Sequence, residues 1–151
     1  MPADPPYFDS SYLVRLYLRD PGFEEVRTLA GSSTGVASAW LAQAEVITAL
    51  HRALREGRLQ PDGYHSVLDQ FVSDSQDGLF HWLPLTDALQ QRLKEFFRKA
   101  GPAIFLRAAD ALHLACAVEH NFKEVHSNDR RFLDAAPHFG LKGRDVIPAN
   151  P

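Results

Sequence analysis

The stretch Leu106-Arg107-Ala108-Ala109-Asp110-Ala111-Leu112-His113-Leu114-Ala115-Cys116-Ala117-Val118-Glu119-His120 is followed, after a short break, by Val125-His126-Ser127-Asn128-Asp129-Arg130-Arg131-Phe132. Apart from Arg107, Asp110, His113 and Glu119 the first segment is apolar nearly all round, the pattern of a buried helix. Val125 to Asn128 reads as a strand, and Asp129 to Ala136 as a short helix. A buried helix that hands over to a short strand and then to another helix is the unit from which parallel α/β sheets are built.

The same alternation extends toward the amino terminus. Tyr7 to Val14 reads as a short buried strand running into a helix that ends near Asp20-Pro21-Gly22, with Asp9 at the strand's carboxyl end. A helix over Phe23 to Ala30, a loop at Gly31 to Gly35 and a strand at Val36 to Trp40 follow. The next helix runs from about Leu41 to Arg55, closed by Gly57, and carries Glu45 in a largely apolar stretch. Pro61-Asp62 starts a further helix, Asp77-Gly78 breaks it before a strand near Leu79 to Leu85, and Thr86 caps a helix carrying Leu89, Leu93, Phe96 and Phe97. Toward the carboxyl terminus, Asp145-Val146-Ile147 reads as a last strand. No repeat, low-complexity segment or linker interrupts this order, so residues 1–151 are expected to form one domain.

Four carboxylates stand where these elements meet: Asp9, Glu45, Asp110 and Asp129. An ionised carboxylate beside an apolar core costs several kcal/mol unless something cationic or hydrogen-bonding meets it. In a parallel sheet, ligands bind outside the carboxyl ends of the strands. Asp9 and Asp129 end predicted strands, and Glu45 and Asp110 open helices that can face the same crevice. A shared hard divalent cation is the economical partner for such a set. Each acid also has a structural reading: Asp9 and Asp129 as helix caps, Asp110 paired with Arg107 or His113, and Glu45 bonded to Thr48.

Composition limits the alternatives. A net charge of −3 lacks the basic excess usual in nucleic-acid binders, although clustered carboxylates lower the sum. The lone cysteine, Cys116, lies in an apolar run and is expected to be a buried thiol in a reducing compartment. No signal-peptide pattern or membrane span is apparent, which predicts a cytoplasmic protein. Gly31 and Gly35 lack the rest of a phosphate-binding loop, no Gly-x-Gly-x-x-Gly follows a strand, and no zinc-type histidine spacing or nucleophile elbow occurs. His113 reads as a hydrogen-bonded core residue. Arg92, Lys94, Arg98 and Lys99 form a basic helix face that reads first as solvated charge.

Taken in order, Phe8-Asp9-Ser10-Ser11, Ala44-Glu45-Val46, Leu106 to Ala115 and Ser127-Asn128-Asp129-Arg130-Arg131-Phe132 resemble a PIN domain, most closely the VapC type of toxin from bacterial toxin–antitoxin pairs. The likeness spans Tyr7 to Ile147, with Gly57 to Phe105 matching only in pattern. It implies an α/β, three-layer fold with a short, mostly parallel central sheet flanked by helices. It also implies a ribonuclease using Mg²⁺ or Mn²⁺, with Asp9, Glu45, Asp110 and Asp129 as metal-binding acids and Ser127 as a supporting hydroxyl. Arg107, Arg130 and Arg131 are candidates for RNA phosphate contact. A VapB-type antitoxin and a homodimer are the implied partners. Two other readings stand beside this one: a PIN-fold binding module without catalysis, and a haloacid-dehalogenase-like phosphotransfer domain with Asp9 as nucleophile. The latter would want a second aspartate where this chain has Ser11.

Overall fold

The computed structural model describes residues 4–149. Its sheet is held together at Tyr7 and Phe8. Tyr7 bridges in parallel to Ala37, and Phe8 bridges in parallel to His126. On one side Phe8 N–H donates to the Ala37 carbonyl and Ala37 N–H to the Pro6 carbonyl, both at 2.9 Å. On the other, His126 N–H donates to Tyr7 (2.9 Å) and Asp9 N–H to His126 (3.0 Å). Strand β1 (Val36–Ala39) pairs outward with β2 (Phe80–Leu83), and β3 (Glu124–His126) pairs outward with β4 (Lys142–Arg144), all in parallel. The order across the sheet is therefore β2, β1, the Tyr7–Phe8 segment, β3, β4.

Alternation along an extended chain sends successive side chains to opposite faces, and both faces are covered. Phe8 packs among Tyr12, Leu13, Val36, Val46, Leu50, Phe71 and Phe80, beneath α1 (Ser10–Val14), α3 (Ala42–Arg55) and α4 (Pro61–Gln76). The preceding Tyr7 packs on the other side with Leu114, Val125 and Phe132, beneath α6 (Ala108–Glu119) and α7 (Arg130–Ala135). Helix α2 (Phe23–Gly31) adds Val26 to the first layer, and α5 (Asp87–Lys99) adds Leu89 beside Ala115 and Cys116 of α6. This is the expected three-layer α/β arrangement. Among the described residues, no helix is long and apolar enough to cross a membrane. Burial pushes the Cys116 thiol up to about 12, as expected of an inert core cysteine.

Three expectations need correction. Asp145 to Ile147 is not a strand: Asp145 accepts hydrogen bonds from the Tyr12 hydroxyl, Asn128 Nδ2 and Ile147 N–H, which bind this segment to α1 rather than to a sheet edge. The last strand is instead the polar Lys142-Gly143-Arg144, whose edge position leaves it without an apolar pattern. Leu106 and Arg107 precede α6 rather than belonging to it, because Arg107 is extended (φ −74°, ψ 158°). The amino-terminal strand shrinks to Tyr7 and Phe8, since Asp9 caps α1 at once, and α1 ends at Val14 rather than near Asp20.

Gly35 sets up the β1–β2 pairing. It has φ +131°, and a Cβ there would lie 2.7 Å from the Leu79 carbonyl oxygen, which accepts from Val36 N–H. Gly35→Ala is expected to destabilise the fold by about 1–3 kcal/mol, read as a lower Tm in a circular-dichroism melt. An unchanged Tm would mean that the turn is not under this constraint.

Candidate functional site

Asp9 follows the central segment and is 4% exposed. Its Oδ1 accepts from Ser11 Oγ (2.6 Å) and Tyr12 N–H (3.2 Å), and its Oδ2 accepts from Ser127 Oγ (2.5 Å). Ser127 follows β3 and also accepts from Asp129 N–H (2.9 Å), so one hydroxyl joins the two aspartates. Asp129 Oδ1 caps α7 through Arg131 N–H and Phe132 N–H. Asp9 and Asp129 are thus true helix caps, but each sits against the other's support.

Glu45, in the first turn of α3, is held from two sides. Ser10 Oγ donates to Oε2 (3.2 Å), and His113 Nε2 lies 2.7 Å from Oε1. The other ring nitrogen of His113 is 2.7 Å from the Tyr7 hydroxyl. Burial raises the Tyr7 pKa far above its usual range, so the phenol stays protonated. The consistent arrangement has Tyr7 O–H donating to Nδ1 and Nε2–H donating to Glu45. This chain, Tyr7 to His113 to Glu45, aims the Glu45 carboxylate. His113 is the hydrogen-bonded core residue expected, and Thr48 donates to the carbonyls of Ala44 and Glu45 rather than to the Glu45 side chain.

Asp110 differs from the other three. In the first turn of α6, it has no side-chain hydrogen bond and no ion pair among the described residues, neither with Arg107 nor with His113. Desolvation raises its pKa most, the nearby negative charge of Asp129 raises it next, and Glu45 adds to the effect. Burial likewise raises the pKa of Asp9, against the lowering pull of the Ser11 and Ser127 hydroxyls. None of the four acids forms an ion pair with Lys or Arg among the described residues; only Glu45 meets a cationic candidate, His113.

The donors are therefore hard oxygens carrying excess negative charge, with both oxygens of Asp110 and Oδ2 of Asp129 left without protein partners. That chemistry fits a divalent cation with oxygen ligands. The side chains are not drawn in around one point: among the described residues, no three of Asp, Glu, His and Cys are gathered so as to enclose an ion. The reason is local, because Glu45 is pulled toward His113 and Ser10, Asp9 toward Ser11 and Ser127, and Asp129 toward the start of α7.

Around the acids, Arg107 is exposed at the cap of α6. Arg130 meets Asp134 in an exposed pair at 3.4 Å, and the Arg131 guanidinium lies over the Phe105 ring, 4.3 Å from its centroid. Of the basic face on α5, Arg92 pairs with Glu119 at 2.9 Å, while Lys94, Arg98 and Lys99 are exposed. The sequence reading missed Tyr7, Ser10 and Ser11 as supports: the partners of Tyr7 and Ser10 are distant in sequence and leave no local pattern, while Ser11, two residues from Asp9, was open to a local reading as its hydrogen-bond donor.

Two outcomes follow. In chelator, Asp110→Asn is expected to raise Tm by about 2–4 °C at neutral pH, the shift that about 1 kcal/mol produces in a chain of this size. The sign follows from linkage: a carboxyl whose folded pKa is raised is penalised above that pKa, so the gain fades as pH falls through it and wild type is protonated too. Melts across the acidic range check this, and a lower Tm for the variant at neutral pH would show that Asp110 has a stabilising partner. Tyr7→Phe leaves the His113 ring without its donor and is expected to cost about 1–2 kcal/mol in denaturant unfolding. An unchanged midpoint would mean that Glu45 is not held through this chain.

Residues 7–137 match the PIN domain family. No curated protein matches the sequence. Among solved structures, the fold is similar to VapBC2 from Rickettsia felis bound to a DNA fragment from their promoter, with TM-score 0.65 and 14% identity, covering 92% of this chain and 96% of that one. It is similar to Mycobacterium tuberculosis VapC20, a sarcin-ricin loop cleaving toxin, with TM-score 0.65 and 17% identity over 85% and 93% of the two chains. FitAcB from Neisseria gonorrhoeae gives TM-score 0.64 and 17% identity over 91% and 94%. At these identities the structures speak for the fold, and the family match covers most of the sequence: the chain belongs to the PIN domain family.

Proposed function

We propose that this chain is a metal-dependent endoribonuclease, the VapC-type toxin of a type II toxin–antitoxin pair. The observation that carries the reading is the group Asp9, Glu45, Asp110 and Asp129 at the carboxyl end of a parallel sheet, where Asp129 and Glu45 raise the Asp110 pKa and, among the described residues, no Lys or Arg forms an ion pair with any of the four. A lapsed site has no physical reason to keep such charge. The resemblance to VapC20, a sarcin-ricin loop cleaving toxin, supports RNA as substrate, and the resemblance to VapBC2 and FitAcB supports a VapB-type antitoxin as partner. A homodimer and a cytoplasmic location are expected from the same likeness.

Asp110 and Asp9 are the main candidates to hold Mg²⁺ or Mn²⁺, with Asp129 and Glu45 completing the set. Such an ion polarises a phosphoryl oxygen and lowers the pKa of water. The chain's own residues set the geometry. Ser127 and Ser11 fix the rotamer of Asp9, and Ser127 also fixes the backbone of Asp129. His113, itself held by Tyr7, turns Glu45 so that it can orient an attacking water. Arg107 at the cap of α6 and Arg130 and Arg131 at the start of α7 supply guanidinium groups beside Asp110 and Asp129, where flanking phosphates would lie.

The spacing of the acids favours one other reading, a PIN-fold binding module without catalysis. A phosphotransfer role is poorly supported, since both oxygens of the buried Asp9 already accept hydrogen bonds. The test is cleavage of total cellular RNA by purified protein with Mg²⁺ or Mn²⁺, against chelator and against Asp110→Asn. Because Asp110 makes no side-chain hydrogen bond among the described residues, loss of activity in that variant is not loss of structure. Discrete cuts that fall at least about 100-fold in the variant are expected. Equal cleavage by both proteins would refute the assignment, and absence of both cleavage and metal binding would favour the binding module.

A further inference from the structure

An acid-lined site in a chain of net charge −3 repels the phosphates of an RNA strand, and Arg107, Arg130 and Arg131 offset this only in part, so a further source of affinity is needed. Two side chains offer it. The most exposed large hydrophobic residues among those described are Phe105, at 60%, and Trp40, at 59%. A scattered exposed ring needs no explanation. Each stands shortly before a helix that carries one of the acids. Trp40 follows β1 and lies two residues before α3, whose first turn carries Glu45. Phe105 precedes α6, whose first turn carries Asp110. In a parallel sheet both helix starts lie at the carboxyl edge of the strands, so the rings stand at the rim of the acid group.

The surroundings of Phe105 are also suggestive. The Arg131 guanidinium covers one side of its ring, and a hollow of about 280 Å³ opens beside them, lined by Ile104, Phe105, Arg131, Asp134, Ala135 and His138. An open aromatic face, a stacked guanidinium and an open hollow suit a flat, electron-rich ring. We propose that Trp40 and Phe105 stack the unpaired nucleobases flanking the bond to be cut. This rests on the nuclease reading for the bond that is cut, but not for the stacking itself. Bases must be splayed from a duplex to reach such rings, so paired RNA is disfavoured.

The probe is a short single-stranded RNA oligonucleotide of mixed sequence, titrated into protein carrying Asp110→Asn to block cleavage and Trp82→Phe to leave Trp40 as the one tryptophan. RNA is expected to quench Trp40 fluorescence, more strongly than the same sequence as a duplex, and with a shallow salt dependence. In otherwise identical protein, read by a label on the RNA, Trp40→Ala and Phe105→Ala should each weaken binding about 5- to 150-fold. Trp40→Phe and Phe105→Tyr should restore most of it. Unchanged affinity in both alanine variants, in a protein whose Asp110-bearing form still cuts RNA, would overturn the stacking proposal and leave the nuclease intact. Quenching and its loss on substitution, with no cleavage by the Asp110-bearing form, would do the reverse. A response of Trp40 to a co-expressed protein partner but not to RNA would overturn the proposal in favour of a protein-docking surface.

Discussion

Two residues in the centre of the sheet hold the molecule together. Tyr7 and Phe8 donate to or accept from β1 on one side and β3 on the other, and without them β1–β2 and β3–β4 are separate pairs. Because their side chains point to opposite faces, the same dipeptide also fills the centre of both cores. A two-residue strand is an unusually small hinge for so much packing. It works because both rings are fully buried and all four backbone bonds along it are made.

The position of Asp9 follows from that geometry. Once the strand ends at Phe8, the next residue must turn into α1 at the sheet's carboxyl edge, and an aspartate there satisfies the free N–H of Tyr12. The cap is structural, yet it fixes a carboxylate beside β3 and the start of α7. Glu45 and Asp110 reach the same edge from the first turns of their own helices. Three of the four acids therefore have a structural role at this edge. Asp110 is the exception, since it satisfies no neighbour, and the destabilising environment that raises its pKa has no visible benefit to the fold.

Much of this was legible in the chain. The alternation of apolar runs with Gly, Pro and Asp breaks located every α-helix among the described residues, and Thr86 capped α5 through Leu89 N–H as its spacing implied. The acids stand out in the sequence because charge at the junction of apolar elements is anomalous on local grounds alone. What escaped was decided by tertiary contact. Lys142-Gly143-Arg144 has no strand pattern because an edge strand needs only backbone partners, and the apolar Val146 and Ile147 mislead because Ile147 packs onto Gly22 instead. The Tyr7–His113–Glu45 chain joins residues over a hundred positions apart, which no periodicity records.

The central segment lies near the start of the chain, while its β3 neighbour and the Ser127 hydroxyl that grips Asp9 lie near the end. Pairing them closes a loop of well over a hundred residues, so the site is among the last features to form. During synthesis Asp9 and Glu45 emerge long before Asp110, Ser127 and Asp129 exist. A nascent chain therefore has no completed acid group until Asp129 has been made. The order of the sequence places the joining of the four acids at the end of folding, a delay written into the topology.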